Sequence, residues 1–215
     1  MQCLSTMKIN YYKESLNELK KINTENKPSL LLHACCGPCA VWPIEFLADY
    51  FHITIFYNNS NIYPEEEYSR RLNELKQYLD DYNMHHTNPI QIIIPPYDNV
   101  AYTKKLEPLK DEPERGKRCH LCYGLRMKEG LEYAKQHHYE YYTTVMTISR
   151  QKDSQVLNEI GLKIASAYPE VHYFVSDFKK DNGILKANQI ISEHNMYRQD
   201  YCGCIYSWQT RKSNQ

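Results

Sequence analysis

Seven of the eight cysteines in this 215-residue chain fall into three groups: Cys35-Cys36-Gly37-Pro38-Cys39, Cys119-His120-Leu121-Cys122 and Cys202-Gly203-Cys204. Two C-x-x-C spacings place sulfurs close enough to chelate one metal or to share one cluster. A local zinc ribbon would bring its second pair roughly 15–20 residues after the first. Here roughly eighty residues intervene, so only the whole fold can bring the pairs together. That points to a catalytic or redox centre rather than a zinc knuckle. Cys36-Gly37-Pro38-Cys39 is also the string of a dithiol exchange enzyme, placed at a helix start whose dipole lowers a thiol pKa. Such an enzyme needs two cysteines, which leaves Cys35 and both distant groups without a task. In the third group, cysteines two apart close only a tight ring, and Gly203 supplies the backbone freedom for it. A disulfide there is expected to be strained and easily reduced, suited to shuttling electrons. The alternative for Cys202 and Cys204 is a pair of further metal ligands. Cys3 stands alone and is read as incidental.

The elements that must position these groups are legible from hydrophobic period. Leu30–Leu32, residues 53–57, 92–94, 141–145 and 171–175 read as strands. Tyr68, Leu72, Leu75 and Leu79 form one helical stripe behind Pro64 and three glutamates, which favour a first turn. Val156, Ile160, Ile164 and Ala167 form another, and Ile9, Tyr12, Leu16 and Leu19 an opening helix. Alternation of this kind implies an α/β fold with a mostly parallel sheet flanked by helices. The charged, proline-punctuated stretch 104–117 reads as a surface loop. Because the first cysteine group follows the first strand directly, it lands at the carboxyl edge of the sheet, where such folds bind ligands.

A single domain over 1–215 is expected, with residues 1–27 as an N-terminal helical extension. The longest uncharged run, residues 28–44, is broken by three prolines and is too short to cross a bilayer. With no secretory signal at the start, a cytoplasmic protein without a membrane partner is expected, and reduced thiols with it. Lys plus Arg and Asp plus Glu both number 26, so a polyanionic partner must be met by a local basic patch.

At LLLHACCGPC (30–39), the FYN…NIYPEEEYSRR segment (56–71), RCHLCYGLRM (118–127), TTVMTIS (143–149) and YRQDYCGCIYS (197–207), the chain resembles the epoxyqueuosine reductase family of the QueH type. The matches run from near residue 30 to near 207. Two departures are visible: the loop Tyr57–Pro64 is one residue longer than the family's Y-N-P-N-I-x-P and lacks its first proline, and TTVMTIS lacks a final proline.

The resemblance implies a Rossmann-like (nucleotide alpha hydrolase-like) fold and reduction of epoxyqueuosine to queuosine at the wobble position of tRNA, the last step of queuosine biosynthesis. It implies Cys35, Cys36, Cys119 and Cys122 as ligands of a 4Fe-4S cluster and Cys202/Cys204 as a redox-active pair. Cys39 falls beside the cluster, where it is a candidate ligand of an additional iron able to polarise the epoxide oxygen. An electron donor is required, and DNA is not an expected partner. His33, Asp200 and Tyr201 are candidate proton donors by sequence proximity. Candidate RNA contacts are Arg70/Arg71, Lys104/Lys105, Lys117/Arg118, Lys179/Lys180 and Arg211/Lys212, with 104–118 favoured because it runs into Cys119. Tyrosines, 20 in all, offer stacking surfaces for anticodon bases. The rival readings are a thioredoxin-like thiol–disulfide oxidoreductase built on C-G-P-C and a zinc-stabilised RNA-binding domain.

Overall fold

A computed structural model describes residues 8–213; Cys3 lies outside the described residues. Five strands, β1 (Ser29–His33), β2 (His52–Phe56), β3 (Gln91–Ile93), β4 (Tyr141–Thr144) and β5 (His172–Tyr173), pair in the order β3-β2-β1-β4-β5. Every pairing is parallel. Successive side chains of a strand point to opposite faces, and central β1 is apolar on both. Leu30 and Leu32 pack under α2 (Gly37–Leu47), α3 (Glu65–His85) and α7 (Gly183–Glu193). Leu31 packs on the other face under α5 (Lys117–Gln136) and α6 (Ser154–Ala165). The remaining helices are α1 (Tyr11–Leu19), α4 (Asn99–Leu106) and α8 (Ile205–Ser213). Among the described residues no helix is long and apolar enough to cross a membrane.

Three elements differ from expectation. Residues 104–109 are not loop: α4 runs through Leu106 and a 3-10 turn continues to Leu109. Asp98 caps the helix by accepting from the backbone N–H of Ala101, and Tyr102 and Leu106, four apart, bury one face against Cys122. The fifth strand is only two residues long, because Asn158 of α6 grips both the N–H and the carbonyl of Ser176 and draws the chain off the sheet. The buried stripe of α6 is Ser154, Leu157, Asn158 and Gly161, not the one centred on Val156 and Ile160. Gly161 sets this rotation, since a Cβ there would lie 2.1 Å from the Tyr173 ring.

One contact between α1 and β5 makes stability depend on pH. His172 Nε2 lies 2.6 Å from Glu18 Oε1. The hydrogen bond to Glu18 raises the histidine's pKa from 6.5, outweighing its partial burial. With the folded pKa above the unfolded one, the bridge contributes fully below about pH 6.5 and is lost as pH rises through the folded value. The imidazole is more than half exposed, so solvent screening holds the contribution below about 1 kcal/mol. Glu18→Gln is expected to lower the urea midpoint at pH 6 and leave it unchanged at pH 9. Equal losses at both would exclude an ionic origin.

Candidate active site

The sheet order places connections leaving β1 and β4 on opposite sides, so a crevice opens beyond the carboxyl ends of these two strands. A cavity of about 640 Å³ fills it. Cys35 and Cys39 enter from the β1–α2 turn, Ser149, Gln151 and Lys152 from the segment after β4, and Tyr123 from α5. Tyr201, Cys202 and Ser207 close it from the C-terminal segment.

The sulfurs of Cys35, Cys36 and Cys39 lie within 4.8 Å of one another, the one such group of potential metal-binding side chains among the described residues. Cys36 is the extended residue that caps α2, and Gly37-Pro38 begin the helix, so all three sulfurs gather at the positive end of its dipole. The Cys36 and Cys39 thiols hydrogen-bond to Cys35 and hold it well below the ordinary thiol range. Burial pushes Cys36 up to about 12, and hydrogen bonding to Cys35 and Cys36 pushes Cys39 well above its usual value. Gln199 Nε2 donates to Cys36 Sγ at 3.1 Å.

Cys119 and Cys122 stand on the first turns of α5, at the same edge of the sheet but outside that three-sulfur group. The backbone N–H of Arg115 donates to Cys119 Sγ at 3.2 Å, and the Tyr102 hydroxyl donates to the Cys122 carbonyl at 2.9 Å. Cys202 bears electrostatically on Cys119 and Cys204, and also on Lys152, which in turn faces Cys35 and Cys39. Cys202 also lines the same cavity as Cys35 and Cys39. Cys202 and Cys204 are free thiols, and burial pushes Cys204 up to about 11. Gly203, at φ +116°, turns the chain between them as its sequence position requires.

Three cations answer these sulfurs. Burial works against the charge of Arg126, but Cys122, Tyr102 and Cys35 outweigh it and the guanidinium stays protonated. Lys152 keeps its charge against burial through Cys202 and Cys35. Arg71, 2% exposed, faces Cys36 and pairs with Glu67 at 2.7 Å. An all-thiol donor set flanked by buried cations fits a soft, anionic metal centre.

Arg71 also holds the third cysteine group in place. Its terminal nitrogens donate to the carbonyls of Tyr201 and Cys202, each at 3.3 Å. Glu67 in turn accepts from the Tyr197 hydroxyl at 3.1 Å, and Glu74 accepts from the Tyr197 backbone N–H at 3.0 Å. The loop after β2 completes the clasp, with the Tyr63 N–H donating to the Gly203 carbonyl at 2.7 Å and the Tyr201 hydroxyl donating back to Tyr63.

Several candidates change role. His33 is fully buried, bonded to Thr144 and to the Asn58 carbonyl; burial and then Arg126 lower its pKa to about 3, so it is a neutral scaffold residue and no proton donor. The Tyr201 hydroxyl is engaged by Tyr63, whereas Asp200 lines the cavity paired to Arg211. Most of the basic pairs are also taken. Arg71 is buried, and Arg118 donates to the Lys110 and Glu112 carbonyls at 2.6 and 2.5 Å. Lys105 meets Glu129, Lys117 meets Glu112 and Lys179 meets Asp177. Sequence reasoning missed Lys152, Gln199 and the inward turn of Arg71. Only Gln199 had a local signal, as part of YRQ-x-YCGC.

Residues 30–210 match the family described as epoxyqueuosine reductase QueH. A relative of that name from Streptococcus pyogenes is 35% identical over 201 residues, covering 93% of this chain and 78% of the relative. One from Staphylococcus aureus is 35% identical over 207 residues, covering 95% and 86%. One from Thermotoga maritima is 25% identical over 190 residues, covering 86% and 92%.

Proposed function

Since the chain belongs to the epoxyqueuosine reductase QueH family, we infer that it is an epoxyqueuosine reductase, an oxidoreductase that converts epoxyqueuosine to queuosine in tRNA. The observation that carries this reading is the cysteine-lined cavity of about 640 Å³ at the β1/β4 switch point. Its volume suits a nucleoside-sized ligand.

We assign Cys35, Cys36, Cys119 and Cys122 as ligands of a 4Fe-4S cluster, with Cys39 left to hold an additional iron. A cluster held there would supply single electrons at low potential. Arg71, Arg126 and Lys152 offset the negative charge of the thiolates, and Gln199 donates to Cys36. Tyr123 and Tyr201 line the cavity and offer faces for the base.

Deoxygenating an epoxide consumes two electrons and two protons and releases the oxygen as water. Closing Cys202 and Cys204 to a disulfide yields two electrons and two protons, so the pair balances one turnover and is reopened by an external low-potential reductant. Asp200 lines the cavity beside Tyr201 with its carboxylate paired to Arg211, so the two protons are those released by the dithiol as it closes. We place the enzyme in the cytoplasm, where tRNA and reduced thiols are found.

Neither rival reading gains support. In a thiol-exchange enzyme the first cysteine of C-G-P-C must be open to attack a disulfide, whereas Cys36 is fully buried beneath Gln199. Anaerobically purified protein is expected to be brown. With dithionite and tRNA bearing epoxyqueuosine, nucleoside digestion and mass spectrometry are expected to show loss of one oxygen atom. Colourless, zinc-loaded protein that leaves the epoxide intact would overturn the assignment.

A further inference from the structure

Beside the cysteine cavity lies a second one of about 420 Å³, and the two share Arg115, Tyr123, Gln151 and Lys152 as a common wall. The second is lined further by His120, Arg150, Asp153 and Val156. Its lining carries three cationic side chains, Arg115, Arg150 and Lys152, against one carboxylate, Asp153. The Asp153 carboxylate is engaged as the cap of α6, accepting from the Gln155 N–H at 2.8 Å. Among the described residues, no carboxylate pairs with Arg115, Arg150 or Lys152; the Arg115 guanidinium bonds only the neutral amide of Gln151. Every other basic residue named so far on the cavity walls or just behind them is otherwise engaged: Arg71 with Glu67, Arg211 with Asp200, Lys117 with Glu112, and Arg118 with backbone carbonyls.

Arg115 is also built into the cysteine site. Its backbone sits in the left-handed region at φ +69°, where a non-glycine residue is held only by its surroundings. The holding contact is its N–H donating to Cys119 Sγ at 3.2 Å.

We propose that Arg115 and Arg150 seat the RNA backbone phosphates that flank the nucleotide entering the cysteine cavity, beside Lys152, which stays with the sulfurs. This rests on the reductase reading above. A chain of zero net charge must meet a polyanion locally, and here unpartnered cations adjoin the opening that admits the base. Phosphate contacts of this kind fix register without reading sequence. The surface therefore differs from the stretch 104–118 as a whole: Arg115 is its one cationic contributor, and Arg150 comes from the segment that follows β4.

The test is fluorescence anisotropy with a labelled tRNA anticodon stem–loop, titrated at several salt concentrations under anaerobic conditions. Arg115→Glu and Arg150→Glu are each expected to weaken binding by about tenfold, and each should reduce the log–log salt slope by about one. Arg150→Lys should recover most of the loss. Lys163→Glu, on the exposed side of α6, is expected to bind as the unaltered protein does. Reversals that leave both affinity and salt slope unchanged, while the unaltered protein binds in a salt-dependent way, overturn this site alone. Failure of the unaltered protein to bind the stem–loop overturns the tRNA reading and the site with it.

Discussion

Serine at Cys35, Cys36, Cys119 or Cys122 is expected to remove most of the iron from anaerobically prepared protein, whereas serine at Cys202 or Cys204 leaves iron in place and abolishes turnover. A cluster needs thiolate at each ligating position, and a hydroxyl at ordinary pH stays protonated and binds soft metals poorly. The redox pair contributes nothing to retention but is consumed in each cycle, so its loss lowers kcat by roughly a thousandfold or more. Iron per chain and visible absorbance report the first effect, and single-turnover conversion of epoxyqueuosine the second. Cys39→Ser decides between ligand sets. Because Cys35, Cys36 and Cys39 already lie within 4.8 Å of one another, a centre built on that trio alone would lose its metal in Cys39→Ser and keep it in Cys119→Ser. That outcome, or six variants behaving alike, would refute the division of roles.

Arg71→Met carries the second large effect. Removing the guanidinium leaves the Glu67 carboxylate, 10% exposed, with only the Tyr197 hydroxyl for company. It also strips the donors from the Tyr201 and Cys202 carbonyls. Breaking a buried pair by deleting one partner costs about 3–5 kcal/mol, which for a chain of this length lowers the melting temperature by roughly 10 °C. Scanning calorimetry at one fixed rate measures it. Turnover should fail as well, because the Cys202–Cys204 turn loses its tie to α3. The double variant Glu67→Gln/Arg71→Met separates the two effects: with no uncompensated charge left, part of the stability returns, but the carbonyls remain unheld and turnover does not. A melting temperature within about 2 °C of the unaltered protein in the single variant, under 1 kcal/mol by the same scaling, would show that the pair is solvated and the clasp unimportant.

These residues show why the sequence was legible in some places and opaque in others. Leu30–Leu32, residues 53–57 and the stripe of Tyr68, Leu72, Leu75 and Leu79 announce their elements because apolar side chains at period 2 or 3.6 have one stable way to leave water. The basic pairs misled because charge in a sequence reads as solvent exposure. Arg71 and Arg118 are buried, since a planar guanidinium can satisfy its donors on carbonyls and a carboxylate brought from elsewhere in the chain. Lys104 and Lys105 read as loop, yet form the last turn of α4, because the apolar pair Tyr102 and Leu106 finds Cys122 to pack against.

The amino-acid sequence by itself determined the fold class, the carboxyl-edge address of the first cysteine group, the turn at Gly203 and the family, since each depends on local period, local backbone freedom or ordered motifs. Tertiary structure alone decided that Cys39 joins Cys35 and Cys36 while Cys119 and Cys122 approach from another helix. It also decided that Cys202 lines the same cavity as Cys35 and Cys39, that His33 is neutral scaffold, and that Arg115 and Arg150 line the adjoining cavity with no carboxylate partner among the described residues. Those outcomes depend on which distant groups share a low-dielectric space, where pairing and burial set charge, and no spacing along the chain encodes that neighbourhood.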